Sequence, residues 1–307
     1  IKTTLNTNTT LILEAPPGAG KSTIVPISLL SQPWLKDKII IMLEPRRVAA
    51  RMVAVQMAKL LGEEVGQSVG YQVKMESCYS KQTKLLVVTE AILVRKLQSD
   101  QALEDVAMVI FDEFHERSIH TDLSLALCLQ VQELLRPDLK LLIMSATLDS
   151  LELTNLLGKI PVINSKGKIY DVENIYLETN IKQPDSKSIN TLLLNITLKS
   201  IKEDEGDILV FLAGSREIQK LQALLEEALK DKNIEILPLY STLSKEKQDK
   251  AISKSNKRKI ILSTNIAQTS LTIEGVKVVI DSGLEKVSRY NYSNAMNHLE
   301  LSFISND

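Results

Sequence analysis

Cysteine is nearly absent from this sequence, with two in 307 residues, Cys78 and Cys128. They are far apart and form no CxxC pair, which excludes a disulfide framework and a zinc ribbon and makes a reducing compartment, by default the cytoplasm, the expectation. No stretch approaches the roughly 18 consecutive apolar residues of a membrane span, and residues 1 to 20 lack the charged and apolar regions of a signal peptide, so no membrane partner is expected. Charge of one sign is lacking too: the formal net charge is -1, so any polyanion must be held by local groups rather than by the overall field. Histidines number three. Two of them, His115 and His120, sit in an HExxxH run. Five residues rotate a helix by about 140° beyond a full turn, which excludes the HExxH zinc motif; His115 is read instead as linking an acidic site to a neighbour.

What is present is an alternation of short apolar runs with helical patterns. The runs are 11 to 13, 39 to 43 (IIIML), 85 to 88 (LLVV), 106 to 111 (VAMVIF) and 140 to 144 (KLLIM), then a second series at 208 to 212, 235 to 239, 260 to 263 and 276 to 280. Runs of this kind separated by helices imply parallel strands buried on both faces. "IIIMLEPRR" is echoed by "ILVFLAGSREI" and "VAMVIFDEF" by "VKVVIDSGL". The expected fold class is therefore α/β, in two lobes of similar plan with mostly parallel sheets. Residues 164 to 190, rich in Asn, Ser, Lys and Pro, place the boundary near 165, giving lobes 1–165 and 166–307. Residues 286 to 304 partly alternate polar and apolar around Ser293-Asn294 and read as a β-hairpin, with Tyr290 and Tyr292 either covering a sheet or touching a partner. The basic run Lys254 to Lys259 reads as a solvated loop before a strand.

The sharpest chemical signal is "LILEAPPGAGKSTIV". A buried strand, a small-residue turn and Lys21-Ser22-Thr23 opening a helical pattern match the phosphate-binding P-loop (Walker A), with Ala15 where the first glycine of GxxxxGK[ST] falls. Backbone N–H groups of Gly18, Ala19, Gly20, Lys21, Ser22 and Thr23 converge on an anion, Lys21 reaches outer phosphates, and the Ser22 hydroxyl ligates Mg²⁺. ATP and Mg²⁺ are the implied cofactors. A second constellation, "VAMVIFDEFHERS", ends a buried strand in Asp112-Glu113, at the sheet edge that also holds Lys21. Asp112 is expected to hold Mg²⁺, mostly through water, and Glu113 to orient and deprotonate the attacking water.

APPGAGKST (15–23), EPRRVAAR (44–51), GYQVK (70–74), VTEAIL (88–93), DEFHER (112–117), SAT (145–147) and STNIAQTSLTI (263–273), in this order, resemble the DEAH-box RNA helicases of superfamily 2. They are most similar to a bacterial branch in which DEFH replaces DEAH. The resemblance implies two RecA-like lobes, ATP-dependent action on single-stranded RNA, with DNA as the other strand type, and a monomer. It assigns Arg46, Arg47 and Thr89 to RNA backbone contacts in the first lobe and Thr264 and Asn265 in the second. It assigns Thr269 and Ser270 to the nucleotide, and Ser145 and Thr147 to coupling between hydrolysis and lobe movement. Gln268 stands where the family has Glu, which implies altered coupling. Arg and hydroxyl groups hold sugar and phosphate without reading bases, and aromatics make up only 4%, so binding is expected to be sequence-tolerant and salt-sensitive. The family's QRxGRAGR motif, which reaches the γ-phosphate, does not occur before Asp307, implying a fragment with weak hydrolysis. Two other readings stand beside this one: a non-catalytic clamp for ATP and RNA, and a P-loop ATPase that does not act on nucleic acid.

Overall fold

The computed structural model describes residues 1–146, 157–158, 160–165, 167, 171–177, 188–230, 233–268 and 273–304. The chain divides into two compact units, Ile1–Asp171 and Val172–Asp307.

The first unit is built on one sheet. Its strands are β1 (Thr10–Glu14), β2 (Ile39–Leu43), β3 (Val69–Val73), β4 (Glu76–Cys78), β5 (Leu85–Val88), β6 (Val106–Phe111), β7 (Lys140–Ser145) and β8 (Val162–Asn164), in the spatial order β4-β3-β5-β2-β6-β7-β1-β8. All pairings are parallel except β3 with β4. The apolar runs are continuous because both faces are covered. Leu11, Leu13, Ile40, Met42, Leu142 and Met144 enter one core with Ala50, Val53, Ala54 and Met57 of α3 (Arg47–Leu60). Ile12, Ile41, Leu43, Val109, Phe111 and Ile143 enter the other, with Leu93 and Leu97 of α4 (Glu90–Ser99) and Leu125, Cys128 and Val131 of α5 (Ile119–Leu134). Successive strand residues thus alternate between two apolar layers, the period of two that a pleated strand imposes. Two short helices, α1 (Lys2–Thr7) and α2 (Ile24–Ser28), also belong to this unit.

In the second unit β9 (Asp207–Phe211), β10 (Ile234–Leu239), β11 (Arg258–Ser263) and β12 (Val276–Asp281) form an all-parallel sheet in the order β10-β11-β9-β12. Ile208, Val210, Ile260, Leu262 and Ile280 pack with Ile189 and Leu193 of α6 (Ser188–Glu203) and Ile218, Leu221 and Leu225 of α7 (Ser215–Ala228). A further helix, α8 (Lys245–Ile252), joins β10 to β11. The expected hairpin forms from β13 (Leu284–Asn291) and β14 (Met296–Phe303), antiparallel and in continuous register from Leu284↔Phe303 to Asn291↔Met296. Tyr290 and Tyr292 meet edge to face on it at 5.2 Å and stay exposed.

The expectation of a solvated loop over 254 to 259 fails at its last two residues. Arg258 and Lys259 already belong to β11. Lys259 is fully buried because its ammonium donates to the carbonyls of Ala251 and Ser253 and lies 3.8 Å from Asp207 Oδ2. Arg258 donates to Gly206, Ile201 and Asp204 carbonyls at 2.6, 2.8 and 2.8 Å, tying the end of α6 to the start of the sheet.

Removing this tie has a defined cost. Arg258→Ala is expected to destabilise the second unit by about 1–2 kcal/mol, since it removes charge-assisted hydrogen bonds to two part-buried carbonyls and one exposed carbonyl. Lys254→Ala, which breaks only the exposed pair with Glu274, is expected to change stability by less than about 0.5 kcal/mol. Urea unfolding by circular dichroism tests both. The single tryptophan, Trp34, lies in the first unit, so its fluorescence transition should not move.

Candidate phosphoryl-transfer site

Predicted site residues gather at the carboxyl ends of the strands, where each strand hands over to a helix or turn. β1 ends at Glu14 and is followed by the loop 15–23. Gly18 and Gly20 take φ of +77° and +79°, a region that costs other residues strain, and a Cβ on Gly20 would press against Ile24 Cγ1 at 3.0 Å. The helix begins later than the sequence indicates. Thr23, Ile24 and Val25 all direct their N–H groups to the Gly20 carbonyl, so Lys21, Ser22 and Thr23 belong to the turn, and α2 runs only from Ile24 to Ser28. An anion held here is held by loop amides more than by a helix dipole. Ala15 replaces the first glycine without strain: it is buried, and its N–H donates to the Ser145 carbonyl of β7 at 3.1 Å.

β6 ends at Phe111 and delivers the two carboxylates. Lys21 Nζ lies 3.2 Å from Glu113 Oε1, with both side chains 6% exposed. Asp112 is 1% exposed. Its Oδ1 accepts from the Glu113 N–H at 2.9 Å, while its Oδ2 is buried with no hydrogen-bond partner. Burial pushes the Asp112 carboxyl up from 3.8 to about 7, reinforced by the Glu113 charge; the Ser22 hydroxyl and the Lys21 ammonium offset only part of that rise. Glu113 takes the left-handed conformation, φ 49°, uncommon outside glycine, where it turns the chain into the 3-10 segment Phe114–Glu116.

His115 stands on the outer side of Glu113. Its Nε2 is 3.4 Å from Glu113 Oε2, and its Nδ1 is 3.4 Å from both the Ala146 N–H and Ser145 Oγ. An amide donor at Nδ1 requires an unprotonated nitrogen there, which places the ring hydrogen on Nε2, facing the carboxylate. A line of polar contacts therefore runs Lys21, Glu113, His115, Ser145. Ser145 is fully buried at the end of β7; Thr147 lies outside the described residues.

The remaining predicted residues occupy equivalent junctions. Arg46 precedes α3 and pairs with Glu116 Oε2 at 3.3 Å; Arg47 opens α3, is exposed, and donates to the Lys74 carbonyl at 3.0 Å. Thr89 is the buried residue before α4. In the second unit Thr264 follows β11 and donates its N–H to the Leu239 carbonyl, and Asn265 opens the exposed end of a 3-10 turn, Asn265–Ala267. Thr269 and Ser270 lie outside the described residues. Sequence reasoning missed the partners of these groups: Glu116 under Arg46, the Ala146 amide on His115, and Glu90, whose Oε1 accepts from Ser118 and Thr121 hydroxyls at 2.5 and 2.6 Å and so joins the starts of α4 and α5. Only the last carried a signal, the Ser-x-x-Thr spacing of a helix cap.

With this geometry in place, family models identify the class. Residues 1–156 match the DEAD/DEAH box helicase family and residues 187–298 match the helicase conserved C-terminal domain. The chain belongs to the DEAD/DEAH box helicases, with two RecA-like helicase domains. Among characterised proteins it is 45% identical over 283 residues to the ATP-dependent RNA helicase HrpB of Escherichia coli K12, covering 92% of this chain and 34% of that protein. It is 37% identical to the ATP-dependent RNA helicase HrpA of Borreliella burgdorferi, covering 93% and 35%. The crystal structure of Escherichia coli DEAH/RHA helicase HrpB superposes with a TM-score of 0.88 at 43% identity, covering 99% of this chain and 38% of that one. The chain thus spans about a third of the length of the curated relatives it matches. Among the described residues no helix is long and apolar enough to cross a membrane.

The raised Asp112 carboxyl has a measurable sign. Between 3.8 and about 7 the folded state binds more protons than the unfolded state, so Asp112 lowers folding stability progressively as pH rises through that window. Asp112→Asn is expected to gain stability over the wild type at pH 8 and to lose that advantage near pH 4, measured by denaturant unfolding without metal or nucleotide. An advantage independent of pH would contradict the burial of an ionisable Asp112.

Proposed function

We propose that this chain is the two-domain core of an ATP-dependent RNA helicase of the HrpB type, binding ATP and a magnesium ion at Lys21, Ser22 and Asp112. The observation that carries the reading is the buried Lys21–Glu113 pair at 3.2 Å beside a carboxylate with an unsatisfied oxygen. Charges this deep are retained when a charged ligand completes them.

The residues fit a magnesium ion. No group of three or more His, Cys, Asp or Glu side chains converges on a metal site among the described residues. Magnesium needs no such cage: one carboxylate, one hydroxyl, phosphate oxygens and water satisfy it. Asp112 Oδ2 and the Ser22 hydroxyl supply those two. When bound, the ion neutralises charge on the phosphates. Lys21 exchanges its carboxylate partner for the outer phosphates, held by the amides of 18–23. Glu113, released from Lys21 and steadied by His115, orients a water and takes its proton. The family resemblance assigns Thr269 and Ser270 of the second domain to the nucleotide as well; both lie outside the described residues. Ser145, through His115, and Thr147 report the state of that site to the rest of the protein.

Arg46, Arg47, Thr89, Thr264 and Asn265 hold the sugar-phosphate backbone of single-stranded RNA. Their common position at strand-to-helix junctions supports this, because each places a donor at a sheet edge beside free helix-start amides.

Two experiments separate the rival readings. Glu113→Gln is expected to keep Mg²⁺-ATP binding and to lower turnover by roughly 10²–10⁴, while Lys21→Ala loses binding itself; equilibrium binding of a fluorescent ATP analogue and phosphate release measure the two. A turnover indifferent to single-stranded RNA would favour an ATPase that does not act on nucleic acid, and RNA binding without any turnover a clamp. For the strand, Arg47→Ala is expected to weaken oligo(rU) binding and to reduce the slope of log affinity against log salt by about 0.7, one phosphate contact on a single strand.

A further inference from the structure

At the carboxyl edge of the second sheet a cavity of about 220 Å³ lies between the ends of β9 and β12, the 3-10 turn after β11 and the root of the hairpin. Phe211, Leu212 and Leu284 form its apolar part; Asn265, Gln268, Asp281 and Glu285 form its polar part. One wall is Lys286, the one basic residue among the described residues that line it, and its charge is already committed: Nζ lies 2.8 Å from Glu217 Oε2. That pair lies directly over Gly214, where a Cβ would sit 2.6 Å from Lys286 Nζ and 3.0 Å from Glu217 Oε2, so a bare backbone there is a condition of the arrangement. Asp281 is oriented as well, its Oδ1 accepting from the Gly283 N–H at 2.7 Å.

The charge balance decides what this cavity takes. Two carboxylates face it against one cation that is already paired, so a phosphate is repelled. A neutral group bearing N–H donors gains from Asp281 and Glu285 as acceptors and from the two amides, which both donate and accept. The volume is below the ~300–1,000 Å³ of pockets that enclose a drug-sized molecule, which limits the occupant to about one ring system. An apolar floor with a donor-seeking rim matches a flat heterocycle whose edge carries an amino group.

We infer that this cavity takes one unpaired base of the bound strand and reads its edge, with Asp281 accepting from an exocyclic amino group and Gln268 bonding beside it. The inference rests on the RNA reading above. It adds base discrimination to a surface otherwise built for backbone, and the positions of Thr264 and Asn265 at the same edge put backbone and base contacts within one turn of chain. Cytosine, adenine and guanine carry such an amino group and uracil does not. Gln268, at the position where the resemblance expects Glu, supplies beside its acceptor a donor that a carboxylate lacks.

Cytosine and uracil are the clean comparison, since they differ only at the edge. The wild type is expected to bind oligo(rC) about tenfold tighter than oligo(rU) at equal length and salt, and an abasic strand no tighter than oligo(rU). Asp281→Asn keeps the acceptor for Gly283 but presents an amide, and is expected to bring the C-to-U ratio within about twofold while abasic affinity stays the same. Gln268→Leu is expected to lower the ratio in the same direction. Fluorescence anisotropy at two salt concentrations reads all of these, and a variant that merely loosened the fold would weaken all three strands together. Equal affinity of the wild type for rC, rU and abasic strands overturns the base site and leaves backbone binding standing. No binding to any strand overturns the RNA reading and this inference with it. Displacement of oligo(rC) by millimolar free cytidine, in the wild type but not in Asp281→Asn, would assign the cavity to a free nucleoside and overturn the strand base.

Discussion

An ammonium and a carboxylate, Lys21 and Glu113, meet at 3.2 Å in the interior of the first unit, and Asp112 adds a second carboxylate beside them. Taking such charges out of water is costly, and their mutual attraction returns that cost only with good geometry. The surrounding fold is organised to supply it. The loop 15–23 turns on glycines with positive φ so that Lys21 points inward, and Glu113 accepts a left-handed backbone so that its carboxylate turns back toward the loop. Asp112 is left over, with one oxygen unsatisfied and its carboxyl raised to about 7. A left-handed backbone at Glu113 and an unsatisfied carboxylate oxygen at Asp112 thus stand side by side at the end of one strand, and local rules are broken most readily where function requires it.

The same edge logic extends through both units. Parallel strands end together, each followed by a junction whose first N–H groups have no partner within the helix, and Arg46, Arg47, Thr89, Thr264 and Asn265 all occupy such junctions. The two edges differ in charge. In the first unit Lys21 and Arg46 each face a carboxylate, Glu113 and Glu116, while the exposed Arg47 donates to a carbonyl and keeps its charge at the surface. In the second, Lys286 is neutralised by Glu217, and Asp281 and Glu285 leave a small acidic cavity. Two sheets of similar plan thus present different charge at their edges.

Departures from the family pattern have local physical reasons. Ala15 is tolerated because its backbone is bonded into β7 and its methyl is buried. Phe114, which makes the motif DEFH, is buried against Phe111 with ring centroids 6.4 Å apart, so it braces the turn that carries Glu113 and His115.

The strands were legible in the sequence because β-branched and leucine-rich runs can be satisfied only between two apolar layers, and the P-loop and Asp112-Glu113 because their spacing is set by local backbone geometry. Period and spacing are properties of neighbours in the chain. The β3–β4 pairing was not legible, since VGYQV and ESC are short and partly polar and are held by each other and by β5. Nor was the burial of Lys259, whose countercharge Asp207 is distant in sequence, or the tautomer of His115, fixed by an amide at the end of another strand. The raised Asp112 carboxyl and the acidic cavity beside Lys286 belong to the same class. Charge, protonation and cavity shape depend on which groups fold into contact and lose water, and only the tertiary structure decides that.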